Sequence, residues 1–557
     1  MLNKGFALRC CFAVLLLLGV STFLLRTVQA ATINTPGIGS VNVSAVDPEV
    51  TVPNTKPVVV PLFSNEKFTD FDAKPFSYTA PNPAQRWAKI VLVAHFSCTL
   101  GRQFDRTCSI FIGNTNVFFG TTAEPSGKVA PSWSVERDIT DYAQLLQSNQ
   151  SAKVLLGNRV DDRYTGLISG SAEIDFYPAD SANPPAVPAD LVIPLNTSNS
   201  LAALHNTSEA LSKTTVFPTN MVRIVMDVFA ESQGNDEFWY TNVPDEDTVK
   251  LGQDGGTSFR EVEIAVDGRA AGVAPVFPWI YTGGINPSLW MPIPGVQTLN
   301  FKAFRVNLTP FAGLLDDGKP HTVSVSVYNA RDNFATAAAL LIYRDPHLAK
   351  VTGAVTKDTL SSVPRPSALT PFADPKATTI GPVSVTSDRT FTIVGYVLTS
   401  WGRMQTTIKQ SSSFDNYQWI TNTTDLQRQI IAQNALTVVN TVTSLSNKDY
   451  VSRRVYHYRL DLDSNGTGLG GAQAAQKTSI RQTYDVESKQ TLPGGKTNWS
   501  DELNIVSPTA TDLLNKDGRP IKFGGSTSSQ QYRYLDSTGK HYDSTVTAVD
   551  GKVADFR

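Results

Sequence analysis

Strict two-residue alternation sets the first limit on this chain. In "REVEIAVDG" Val262, Ile264 and Val266 share one face, and in "HTVSVSVYNA" Val323, Val325 and Val327 do. That period puts one face of an extended strand into a core, whereas a helix repeats its apolar face every three to four residues. Denser runs such as "KIVLVAHF" and "MVRIVMDVF" suit strands covered on both faces. Only "DYAQLLQ" and "SLAALHNTSEALSK" have room for two or three helical turns, and turns are expected at 254–256, 317–318 and Asn465–Gly466. An all-β fold of antiparallel sandwiches or jelly rolls is therefore expected.

With 557 residues the chain is too long for one core. Composition shifts divide it into a Thr/Pro/Val-rich leader at 31–55, a first jelly-roll domain at 56–180, and a polar connector at 181–215. A second jelly-roll domain at 216–350 and a C-terminal β-rich domain at 351–557 follow.

The first 30 residues read differently. Lys4 and Arg9 precede "FAVLLLLGVSTFLL", and Val28 and Ala30 supply the small residues before a signal-peptidase cut. Residues 1–30 are expected to be a signal peptide, making the protein secreted or periplasmic, with an uncleaved anchor as the alternative. Losing Lys4, Arg9 and Arg26 takes the formal net charge from −2 to −5. Such a charge gives no basic field for a nucleic-acid partner, and no later run is long enough to span a membrane. Cys10 and Cys11 leave with the signal. The remaining Cys98 and Cys108, flanking "TLGRQFDRT", are expected to form a disulfide in an oxidising compartment, with buried free thiols as the alternative.

The usual catalytic signatures (His-Glu-x-x-His, Walker loop, Gly-x-Ser-x-Gly, dinucleotide fingerprint) are missing, and the six histidines do not pair at metal-ligand spacing. No metal or cofactor is implied, and carboxylates are left to carry any chemistry. Acids beside aromatics occur in "NDEFWYTN", with Glu237, Trp239 and Tyr240, and in "AEPSGKVAPSWSVERD", with Glu124 and Trp133. Such mixtures suit sugars, whose hydroxyls bind carboxylates and whose apolar faces stack on rings. A core tryptophan is the plainer reading of each Trp.

"FDRTCSIFIG", "TTAEP", "WSVERDITDYAQLL", "LLGNRVDDRYTG", "FWYTN", "SFREVEIAVDGRAAG", "FPWIYTGGINPSLW" and "LTPFAGLLDDGKPH" occur in this order. Together they resemble the peptide-N-glycosidase A family, the acid-active peptide-N4-(N-acetyl-β-glucosaminyl)asparagine amidases, from about residue 85 to 345. A more distant resemblance is to the glycosidase F enzymes, which have two adjacent jelly rolls with the active site in the cleft between them. Their catalytic aspartate lies in a Trp-Asp-Arg stretch; "QFDRTCSIFI" resembles it, which implies Asp105 as catalyst with Arg106 beside it.

The resemblance implies hydrolysis of the amide between an asparagine side chain and the innermost N-acetylglucosamine of N-glycosylated peptides and proteins. Two further glutamates of glycosidase F have no counterpart: Asn158 stands near one place, and Gly255 and Gly256 near the other. Glu124 and Glu237 are the candidates for further catalytic acids, with Glu261 beside them. Arg106, Trp133, Asn158, Trp239, Arg260 and Glu261 are candidate substrate contacts. A secreted carbohydrate-binding protein without activity is the alternative function, and a surface turn ion pair is the alternative role of Asp105–Arg106.

Overall fold

The computed structural model describes residues 34–370, 379–423, 425–469, 474–515 and 520–557. The expected signal peptide lies outside them. Among the described residues no helix is long and apolar enough to cross a membrane.

Residues 58–178 form eight strands: β1 Val58–Phe68, β2 Lys74–Tyr78, β3 Trp87–Cys98, β4 Thr107–Ile112, β5 Thr115–Thr121, β6 Ser132–Asp138, β7 Gln150–Leu156 and β8 Ile168–Pro178. They build two antiparallel sheets in the orders β1-β8-β3-β6 and β2-β7-β4-β5. This is a jelly roll closed around one core that includes Phe96, Ile110, Phe118, Ile174 and Phe176.

The next nine strands are β9 Leu191–Pro194, β10 Ala202–Leu204, β11 Leu211–Val216, β12 Met221–Gln233, β13 Glu261–Val266, β14 Arg269–Pro275, β15 Phe304–Asn307, β16 Pro320–Tyr328 and β17 Asn333–Arg344. Their sheets run β10-β17-β12-β15, with β9 also on β17, and β11-β16-β13-β14. Counting β10 as first, the order is again 1-8-3-6 and 2-7-4-5. The chain therefore folds the same jelly roll twice. The fourth and fifth strands of each meet in a two-residue turn, Gly113–Asn114 and Asp267–Gly268. All four turn residues have positive φ, which matches the right-handed twist of a tight hairpin.

Several local expectations are corrected. The stretch 181–215 is no plain connector, because it supplies β9, β10 and most of β11. "SLAALHNTSEALSK" is not helical: β10 and β11 pair with β17 and β16, and those ladders override local propensity. Around "DYAQLLQ" the helix shrinks to two short 3-10 turns, Thr140–Tyr142 and Leu145–Gln147. Asn465–Gly466 is no turn, lying inside the strand Lys448–Thr467.

Beyond residue 351 the described chain forms one twelve-stranded antiparallel sheet with strands of up to 21 residues. Its inward residues, among them Phe391, Phe414, Ile431, Tyr458 and Leu460, join the core of the second jelly roll. The joint also has a polar part. Buried amide side chains reach backbone carbonyls of the jelly roll: Asn416 donates to Tyr240 at 3.0 Å, Gln418 to Asn242 at 2.9 Å and Gln482 to Pro278 at 2.6 Å. Each such bond satisfies a carbonyl whose burial without a partner would cost about 1–3 kcal/mol. The leader is fastened to the same sheet, with the Val46 N–H donating to Gln530 Oε1 at 2.8 Å.

Candidate active site

A cleft of about 880 Å³ opens where four loops meet. The β3–β4 loop contributes Arg102, Phe104, Asp105 and Arg106, and the β5–β6 loop contributes Glu124. From the second jelly roll, the β12–β13 loop contributes Glu237 and Phe238, and the β14–β15 loop Gly283, Pro287 and Met291. These are the same two connections, third-to-fourth and fifth-to-sixth strand, taken once from each jelly roll. The duplicated topology thus brings equivalent ends of both sandwiches to one place.

Hydrogen bonds lock the two first-domain loops together. The Arg106 N–H donates to Thr122 Oγ1 and the Thr122 N–H to the Arg106 carbonyl, both at 2.9 Å. The β4–β5 ladder therefore continues past its formal end, which holds Asp105 against the following loop. The Asp105 N–H donates to Glu124 Oε1 at 3.0 Å, and the two carboxyl groups are themselves hydrogen-bonded. Across the joint, Thr282 Oγ1 donates to the Thr122 carbonyl at 2.5 Å. Its neighbour Gly283 packs so closely that a Cβ there would collide with both Asp105 Oδ1 and Glu124 Oε1.

Burial raises the pKa of Asp105, while its bond to Glu124, its own backbone, the Arg106 charge and the Gly283 N–H oppose that rise. Glu124 is raised by burial first and by the Asp105 charge second. Two adjacent carboxyls in a poorly hydrated site cannot both ionise cheaply, and Glu124, pushed up to about 8, is the one that stays protonated in acid. Glu237, facing them from the second jelly roll, is pushed up to about 7 by burial and then by the Asp105 charge. Arg106 Nη2 donates to Gln103 Oε1 at 2.9 Å, and its guanidinium lies over the Phe71 and Phe104 rings at 5.9 and 5.6 Å. Two arginines, Arg102 and Arg106, and three carboxyls, two of them set up to be protonated in acid, line the cleft and can move protons on either side of a bound bond.

The remaining candidates lie away from the cleft. Trp133 is a core residue stacked on Phe96 at 5.7 Å. Trp239 is fully buried between Tyr240 and Phe414. Asn158, also fully buried, donates from Nδ2 to the Phe68 carbonyl at 2.9 Å. Arg260 precedes β13 as Arg106 precedes β4, yet its buried guanidinium pairs with Asp236 at 3.2 Å. Asp236 in turn accepts the N–H groups of Arg331, Asp332 and Asn333, so this pair braces the β12–β13 loop. Glu261 is capped by Arg389 from the C-terminal sheet. Cys98 and Cys108 are free and buried, not bridged, and burial pushes the Cys98 thiol up to about 12. Gly283 was not singled out from the sequence; the Gly283–Gly284 pair inside "FPWIYTGGINPSLW" was its only signal.

The family model of peptide N-acetyl-β-D-glucosaminyl asparaginase amidase A matches residues 48–360. Peptide-N4-(N-acetyl-β-glucosaminyl)asparagine amidase A of Prunus dulcis is 32% identical over 393 residues, covering 66% of this chain and 67% of the relative. Among solved structures, recombinant peptide N-glycanase F superposes with a TM-score of 0.38 at 15% identity, covering 52% of this chain and 96% of that one. The glycosylasparaginase from Flavobacterium meningosepticum gives 0.37 at 12% identity, covering 52% and 96%.

Proposed function

The chain belongs to the peptide N-acetyl-β-D-glucosaminyl asparaginase amidase A family, and from that premise we infer that Asp105, Glu124 and Glu237 carry its reaction. It is a peptide N-glycanase, cleaving the amide that joins an asparagine side chain to the innermost N-acetylglucosamine. One observation carries the site assignment: a hydrogen-bonded Asp105–Glu124 pair of the first jelly roll faces Glu237 of the second across one cleft.

In the proposed mechanism a water is held by the Asp105 carboxylate, which takes one of its protons as the oxygen adds to the amide carbon. Arg106 supplies positive charge beside Asp105 and the negative charge that develops on the amide oxygen. Glu237, protonated below about pH 7, gives its proton to the amide nitrogen, and the carbon–nitrogen bond breaks. The products are a glycosylamine and an aspartate side chain. The proton on Asp105 then returns to Glu237 through solvent. Glu124 keeps its proton and holds Asp105 in place, which favours work on the acid side of neutrality. Export through residues 1–30 completes this reading; sequencing the N-terminus of the mature protein checks it.

The test is a defined N-glycopeptide incubated at acid pH in heavy-oxygen water. The expected products are intact glycan and a peptide with one heavy oxygen in its new aspartate. Glycan release that leaves the innermost sugar on the peptide would instead identify a glycosidase. Binding without release would identify a lectin-like protein.

A further inference from the structure

The β14–β15 loop presses Gly283 against the catalytic pair, and its own conformation is unfavourable. Ile285 has φ +63°, a left-handed conformation that a β-branched residue adopts only when its surroundings impose it. The turn around it is closed by bonds from the Asn286 N–H to the Gly284 carbonyl at 2.7 Å and from Trp290 Nε1 to the same carbonyl at 2.8 Å. Neither bond leaves the loop. Upstream of Gly283 the loop is tied to other segments by Thr282 Oγ1 on the Thr122 carbonyl and by the Tyr281 hydroxyl on the Ser232 carbonyl. Downstream, the strained turn is anchored by Asp512, in the strand Thr509–Leu514 of the C-terminal sheet.

Asp512 is buried, with 3% of its surface exposed. One oxygen accepts Asn286 Nδ2 at 2.6 Å and the other accepts Ser288 Oγ at 3.1 Å. The other end of the Asn286 side chain accepts the Ser288 N–H at 2.9 Å, fixing the start of the short 3-10 turn Pro287–Leu289. Asn286 is therefore fully oriented: flipping its amide would break both of its bonds at once. Gln482 of the same sheet fastens the loop at two other points, Pro278 and Val296.

We propose that Asp512 is a positioning residue of the amidase, holding the strained Gly283–Trp290 turn so that the Gly283 backbone stays against Asp105 and Glu124. The C-terminal sheet is then part of the catalytic apparatus, although none of its described residues borders the cleft. Asp512 acts through Asn286 and the turn, and the chemistry is done by residues more than 200 positions earlier in the chain. The inference rests on the reading of Asp105 as the catalyst.

Loss of the Asp512 anchor lets the turn relax, and Gly283 withdraws from the pair. Asp105 then loses a backbone donor to its charged form, while Glu124, Arg106 and Glu237 still face it, with Arg102 and Tyr281 nearby. The acid limb of the pH profile should consequently move up. A purely structural contact would lower stability and leave that limb in place.

The experiment compares D512A, D512N, S288A, N286A and D512A/N286A with the wild type on one N-glycopeptide, reading kcat, KM, the pH profile and thermal stability. Expected for D512A is a roughly 10–100-fold fall in kcat, little change in KM and an acid limb displaced upward. D512N, keeping one acceptor, should lie between D512A and the wild type. The double variant should be no worse than the worse single one, because the two residues act in series. D463A, which breaks the surface Arg428–Asp463 pair elsewhere in the sheet, should change none of these. Wild-type kcat and acid limb in D512A overturn the proposal, and so do multiplicative losses in the double variant. Should D512A fail to fold, S288A, which removes one bond, must show the same displacement to a smaller degree; an unmoved limb there overturns it. D105N separates the two readings. An active D105N sinks the site itself, whereas an inactive D105N beside a normal D512A sinks only the role of Asp512.

Discussion

The Asp105 N–H donates to Glu124 Oε1 at 3.0 Å while the two carboxyl groups also interact directly. The same residue thus binds its partner through both backbone and side chain, which fixes their separation more firmly than either contact alone. Burial raises both groups; the Asp105 charge raises Glu124 further, whereas the bond to Glu124 opposes the rise of Asp105.

Asp105→Asn should lower kcat by about 10³-fold or more, since the amide cannot accept the proton of the attacking water. Glu124→Gln copies the protonated acid, still able to donate to Asp105, and should keep activity within about tenfold at acid pH. Single-turnover rates on one glycopeptide compare them. Equal inactivity of the two variants would make Glu124 a proton donor in its own right.

Glu237 is the acid of the second jelly roll, and its value near 7 places the alkaline limb there. Activity should be present below that value, where the carboxyl is protonated, and decline as pH rises through it. Glu237→Gln should reduce kcat by about 10²–10⁴-fold and flatten that limb. A profile that keeps its alkaline limb in this variant would assign the limb elsewhere.

Gly283→Ala inserts a methyl group where the backbone meets both carboxyls. The clash must part the pair or displace the loop, and kcat should fall about 10–100-fold. Binding of the released glycan, measured by calorimetry, should change far less than kcat.

Glu237 and Glu261 are both raised to about 7 from an ordinary value near 4.5, mainly by burial. In each case the folded state holds a proton that the unfolded chain releases more readily. Their contribution to stability is complete below about pH 4.5 and is lost as pH rises through about 7. The loss should be on the order of 3 kcal/mol per group across this range, read as a falling urea midpoint. A midpoint that rises over this range would contradict the burial of these acids.

Cys98 and Cys108 are buried thiols raised by loss of hydration. Both should be inert to thiol reagents in the folded protein and titrate only on unfolding. Reducing agent should leave the thermal midpoint unchanged. Mass spectrometry of the alkylated, unfolded protein counts the thiols directly.

The alternation of Val262, Ile264 and Val266 located a strand and its inward face correctly. The same pattern turned Glu261 and Glu263 outward, where a polar edge would be expected to meet water. In the fold that outer face is covered by the C-terminal sheet, and Arg389 caps both acids. Period reveals which side a residue takes, and says nothing about what another two hundred residues place on that side. Trp133 and Trp239 illustrate a related limit. Aromatics beside acids describe a sugar site and a sandwich core equally well, and packing put both rings in the core.

Taken alone, the sequence determined that the chain is built of strands, that two sandwiches precede a third β region and, through the order of its motifs and the family they resemble, that Asp105 merits first attention. It did so because strand period and short motifs are local. The tertiary structure decided which carboxyls meet. Asp105, Glu124, Glu237 and Gly283 lie on loops from two domains, and only the repeated jelly-roll topology brings the same ends of both domains together. It also decided that Asp512 anchors one of those loops, since a buried carboxylate joins whichever donors the fold lays beside it. Distance along the chain carries no record of that choice.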